Sequence, residues 1–176
     1  MTPLERFGTA VSALNDAIGR TAAWLGLALV LVEFAIVVMR YVFGLSSLLM
    51  REGTLYIYAT LFLLASSYTL RHDAHVRIGI FYERLSARSR AAVDLAGTLV
   101  FLVPVCVLIL WTSIPYVAAS WATLEGSIEG SGIPAVFLLK SVIPVFAVLV
   151  LLQGLASAAL AAAMLARPPS DPDRAG

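Results

Sequence analysis

Charge is scarce in this 176-residue chain: Asp, Glu, Lys and Arg make up 13%, against roughly 25% in soluble domains. Apolar residues reach 60%, more than the small interior of a soluble fold of this length hides. Disordered segments are poor in apolar residues and rich in charge, so disorder is excluded as well. A net charge of +1 leaves no basic footprint for nucleic acid. The single cysteine, Cys106, lies in an apolar run and permits neither an internal disulfide nor a cysteine-based zinc site. Only two histidines are present, His72 and His75, and neither falls inside an apolar run where a haem would be held between helices. No Ser/His/Asp set and no paired carboxylates occur, so nothing in the sequence points to an enzyme. What these absences leave is an integral membrane protein, and a mean hydropathy of +0.91 agrees.

A transmembrane helix needs about 20 mostly apolar residues, because the hydrocarbon core is roughly 30 Å thick. Four stretches qualify, at about 22–43, 53–70, 91–122 and 141–166. None shows the alternation of a membrane β-strand. The sequence therefore predicts an all-α membrane protein with four transmembrane helices forming one membrane domain. The third stretch holds Pro104 and Pro115 and is longer than a perpendicular span, which predicts a tilted helix kinked at proline. Before the first span, Phe7, Val11, Leu14 and Ile18 share one helical face, as an extension of helix one or as an amphipathic helix in the interface. The acidic and basic residues there do not suit a removable signal peptide. Residues 167–176 read as a disordered, proline-containing tail.

Basic residues near span ends favour the cytoplasm. The side holding both termini and the 2–3 loop carries Arg6, Arg20, Arg71, Arg77, Arg84, Arg88, Arg90, Arg167 and Arg174, and the other only Arg40, Arg51 and Lys140. Nine against three predicts cytoplasmic N- and C-termini, with the 1–2 and 3–4 loops in the periplasm of a bacterial inner membrane.

Few polar groups remain as candidates for function. Glu33 lies within the first span, where a carboxylate is costly and marks either an ion pathway or a structural contact. Arg40 and Tyr41 end that span as interfacial anchors, and Arg51 and Glu52 precede the second, with Glu52 placed to open its helix. In the 2–3 loop, His72, Asp73 and His75 make only a weak metal signal, three ligands with no fourth. The following segment is better read as an interfacial element, with Ile78, Phe81 and Leu85 on one face and Arg77, Arg84 and Arg88 turned to lipid phosphates. The 3–4 loop has three glycines in seven residues, which predicts a flexible connection exposing Glu125 and Glu129, and Lys140 heads the fourth helix. Small residues, Ala65, Ser66 and Ser67 in helix two and Gly154, Ala158 and Ala162 in helix four, offer close-packing faces for a partner.

In order and spacing these segments resemble the small membrane subunit of the tripartite ATP-independent periplasmic (TRAP) transporters. The likeness runs from about Trp24 to Gly154 and is carried by Arg40-Tyr41-Val42-Phe43, Glu52, His75-Val76-Arg77-Ile78, the segment Glu125 to Pro134, and Lys140-Ser141 with Ile143-Pro144. Gly79 stands where relatives often have aspartate, and Leu48, Leu49 and Met50 stand where they often have a tryptophan. The resemblance implies a fixed scaffold packed against a large multi-span permease that uses a sodium gradient. A periplasmic solute-binding protein would deliver a small organic acid. It implies no cofactor bound by this chain. It also makes Arg51, Glu52, Glu125 and Glu129 candidates for meeting the binding protein. Glu33, Arg40, Tyr41, Arg77, Arg84, Arg88 and Lys140 become candidates for subunit or lipid contacts. The competing reading is a small four-helix proton-coupled exporter built around Glu33.

Overall fold

The computed structural model describes residues 3–71 and 85–166, and these are mostly helical, with no strand among them. Four helices are long and apolar enough to cross a membrane: α1 Pro3–Val42, α2 Leu48–Arg71, α3 Ala87–Ala122 and α4 Val136–Ala166. The N-terminal segment continues α1 without a break, so of the two readings of Phe7 to Ile18 the structure has the extension of helix one. At 40 residues α1 is about 60 Å long by the usual rise of 1.5 Å per residue, twice the hydrocarbon thickness. The expected interfacial element, with Arg77 and Arg84, and the His72-Asp73-Ala74-His75 segment lie outside the described residues, as does the tail from Arg167.

Local chemistry sets the helix ends. The chain turns after α1 at Gly44 (φ 65°), and the Leu45 N–H donates back to the Met39 carbonyl at 3.0 Å. Ser47 then caps α2, its Oγ accepting from the Met50 N–H at 3.4 Å. The helix thus begins at Leu48, and Glu52 stands one turn inside it rather than opening it as expected. Ser86 caps α3 through the Ser89 N–H. Within α3 the residues Thr98–Leu102 form a wide π turn, immediately ahead of Pro104, after which the α-helix resumes at Val103. A proline ring crowds the carbonyl four residues back and leaves it without a donor, and a wider turn relieves both. At Pro115 the helix continues without such a turn.

The centre of the bundle is α4, which touches each of the other three helices. Its buried residues are mostly small: Ala147, Gly154, Ala156 and Ala158, with Leu149 and Gln153. Gly154 shows why. A Cβ there would sit 2.6 Å from Leu102 Cδ2, so the bare position 154 is where Leu102 of the π turn packs against α4. The stripe expected to receive a partner therefore packs, at Gly154 and Ala158, inside this chain. Two polar side chains that the sequence did not single out meet inside the bundle. Asn15 on α1 donates from Nδ2 to Gln153 Oε1 on α4 at 2.8 Å, and both side chains are buried. At the opposite end from the α1–α2 loop, Arg88 of α3 donates to the last-turn carbonyl of Leu165 in α4, satisfying one of the free acceptors there.

Large apolar side chains face outward, Trp24, Leu31 and Phe34 on α1 and Phe101, Leu108 and Trp111 on α3 among them. In water such a surface would aggregate; in a bilayer it meets lipid or another subunit.

Candidate functional site

Polar chemistry gathers where the start of α2 meets the α3–α4 loop. Two sets of hydrogen bonds order the α3–α4 loop. In the first, Glu52 reaches from α2 to accept from Ser127 Oγ at 2.5 Å and from the Ile133 N–H at 2.6 Å. The loop closes on itself through Ser127 N–H to the Ile133 carbonyl at 3.2 Å and Gly132 N–H to the Glu129 carbonyl at 2.9 Å. A Cβ on Gly132 would meet the Ser127 hydroxyl and come within 2.5 Å of both Glu52 carboxylate oxygens. Glycine at 132 is thus a requirement of close approach, not a sign of flexibility.

In the second set, Lys140 of α4 forms an ion pair with Glu125 Oε2 at 2.5 Å, and Ser120 Oγ of α3 donates to the same oxygen at 2.6 Å. The ammonium also stands 4.1 Å from the centroid of the Tyr116 ring. Beside it, Trp121 donates its indole N–H to Ser141 Oγ at 2.8 Å and packs edge-on against Phe137, centroids 4.7 Å apart. The hydrogen bonds from Lys140 and Ser120, and the ammonium charge, hold the Glu125 carboxyl below the ordinary carboxylate range; partial desolvation opposes them.

These bonds sort the candidates. Glu52 and Glu125 spend their carboxylates on the chain itself, and Lys140 is 15% exposed beneath the loop. Glu129 stays exposed at the loop tip beside a fully exposed Ile128, which sequence reasoning did not single out. Arg51, one residue from Glu52, is exposed. The structure brings Arg51 together with Glu33, Arg40 and Tyr41 around one cleft of about 370 Å³ between the end of α1 and the start of α2. None of Glu33, Arg40 and Arg51 makes a hydrogen bond or ion pair with another described residue through its side chain. Glu33 is exposed and shares this cleft with Thr54 and Met50 of the first turns of α2, so it lies toward the loop end of the bundle. Among the described residues no group of three His, Cys, Asp or Glu side chains could hold a metal.

Sequence reasoning missed Ser120, Ser127 and Trp121, and the Asn15–Gln153 pair. Only Gln153 left a readable signal, as an amide inside an uncharged span.

Four apolar helices, a loop end ordered by hydrogen bonds and an amide pair between α1 and α4 define a multi-pass membrane protein. Residues 29–164 match the family described as tripartite ATP-independent periplasmic transporters, DctQ component, and the chain belongs to that family. It is thereby the small membrane subunit of a TRAP transporter, from a family of transporter components and not of enzymes. No curated protein matches it.

Proposed function

We propose that the chain is the scaffold and docking subunit of a sodium-coupled importer of a small organic acid. It packs against a large multi-span permease, which carries the solute and uses the sodium gradient, while a periplasmic solute-binding protein delivers the cargo. The chain binds no cofactor of its own. It sits in the bacterial inner membrane with both termini in the cytoplasm, following the nine-to-three distribution of basic residues.

The observation that supports this reading best is the loop end of the bundle. Two carboxylates, Glu52 and Glu125, fix the α3–α4 loop, and an ordered loop presents a preformed surface at lower entropic cost than a flexible one. The groups left for the binding protein are Glu129 and Ile128 on the loop and Arg51 at the start of α2. Glu52 and Glu125 then serve docking as positioning residues. The outward apolar faces of α1 and α3 supply area for the permease and lipid, and Arg77, Arg84 and Arg88 serve the opposite leaflet.

The test is sodium-dependent uptake of an organic acid bound by the cognate periplasmic protein, in cells lacking the chain. Uptake is lost on deletion, restored by the wild type, and restored by Glu33→Gln with at most a defect in assembly. Transport that survives deletion overturns the reading. Restored assembly with abolished transport in Glu33→Gln would instead favour a proton-coupled path through Glu33.

A further inference from the structure

Glu33 lies within a span, exposed on the outside of the bundle, and its carboxyl bonds to no other described residue. It stands seven residues from Arg40 on α1, about 10 Å along the helix, with Ile36 and Val37 between them. A phospholipid whose headgroup sits at the end of the span therefore lays acyl chain beside Glu33, and hydrocarbon offers a carboxyl no donor. Thr54, which lines the same cleft, spends its hydroxyl proton on the Met50 carbonyl at 3.2 Å. Neither lipid nor the described part of the chain satisfies this group, so another protein surface must.

The outward faces of the bundle differ in this respect. On α3 the exposed residues Phe101, Leu108 and Trp111 are apolar, and acyl chains suffice to cover them. On α1, Val30, Glu33 and Val37 fall three and four residues apart along one side. On α2, Thr54 shares the cleft with Glu33, and Tyr58 and Phe62 follow at four-residue spacing. Val30, Val37, Tyr58 and Phe62 are exposed, and the two rings stack with centroids 6.2 Å apart. An apolar face with one acceptor set into it matches a second transmembrane helix that brings the donor. Helices in membranes associate through packing reinforced by such single polar contacts.

We propose that the α1–α2 face around Glu33 is where the large permease docks, with a permease helix placing a side-chain hydrogen-bond donor against the Glu33 carboxyl. The inference rests on the transporter reading and adds to it the face of contact. Glu33 orients the subunit against the permease, and the apolar outer face of α3 is left to lipid.

The experiment is photo-crosslinking in native membranes, with a benzophenone side chain placed at Val30 or Val37, or at Leu108 of α3 as the comparison. Val30 and Val37 yield the adduct of subunit with permease, and Leu108 crosslinks to lipid. In parallel, the permease recovered with the tagged subunit is measured for two Glu33 variants. Glu33→Lys lowers recovery by about tenfold or more, because it sets a cation against a donor. Glu33→Gln keeps an acceptor and retains the permease. If Glu33→Lys fails to accumulate in the membrane, Glu33→Leu, which removes the acceptor without adding charge, takes its place with the same expectation. Permease adducts through Leu108 that equal or exceed those through Val30 and Val37 overturn the proposal and leave the transporter reading in place. Full recovery of the permease by the lysine or leucine variant does the same. A wild-type subunit that brings down no permease defeats the transporter reading itself.

Discussion

At the scale of single residues, the groups that look most available in the sequence are the ones the chain uses on itself. Glu52 and Glu125 each hold a loop segment that lies far away in sequence or across a turn, and each does so with hydrogen bonds to hydroxyl, amide or ammonium donors. Gly132→Ala tests the first arrangement, because a methyl group there displaces Ser127 Oγ and the Glu52 carboxylate. Limited proteolysis of the purified subunit should show faster cleavage within 125–134 than in the wild type, with the helices intact. Acidification tests the second. The Glu125 carboxyl is held below its unfolded value, so its contribution to stability is complete above the ordinary carboxylate range. It is lost as pH falls from that range through the depressed value of the folded state. Thermal unfolding of the wild type should therefore weaken on acidification more steeply than that of Glu125→Gln, and equal slopes would refute the role given to the Lys140–Glu125 pair.

At the scale of elements, the bundle is held by small residues and one amide pair, and the sequence reveals these unequally. The four helices follow from long uncharged runs, since a backbone in hydrocarbon must satisfy its own hydrogen bonds. The length of α1 and the start of α2 do not, because capping by Ser47 depends on the geometry of the turn at Gly44. The stripe Gly154, Ala158 and Ala162 is legible as a close-packing face, but composition does not say which helix fills it. Leu102 does so at Gly154, and Gly154→Val should cost about 1–3 kcal/mol by overpacking against it, measured as a lower thermal midpoint in detergent. The pairing of Asn15 with Gln153 joins residues 138 apart, a distance over which no local pattern carries information. In a double-mutant cycle, Gln153→Leu and Asn15→Leu should show a coupling of about 1 kcal/mol, as interhelical side-chain hydrogen bonds in membranes do. Additive effects would mean that the amides do not hold α1 to α4.

At the scale of the whole molecule, the scarcity of charge takes on a more definite meaning. Of the acidic residues near the α3–α4 loop, two brace it, and Glu33 stands with Arg40 and Arg51 at a cleft near the loop end. The described residues bury few polar side chains, Asn15, Ser113, Ser120 and Gln153. Their outward surface is instead rich in large apolar side chains, Trp24, Phe34, Phe101 and Trp111 among them, which suits a subunit embedded between lipid and a larger partner. Membership of the TRAP small-subunit family was legible because the motifs fall in order along four spans, not because any one of them is distinctive. The interior of the loop end was not legible, since Ser127, Ile133 and Glu52 meet only in the folded bundle.

Whether the subunit is built into a larger assembly is read from affinity purification of the tagged chain from native membranes in mild detergent, followed by mass determination of the intact complex. A stable complex with a larger multi-span permease is the predicted result. A chain that elutes alone, or only with copies of itself, while solute uptake proceeds in its absence would contradict a scaffold role.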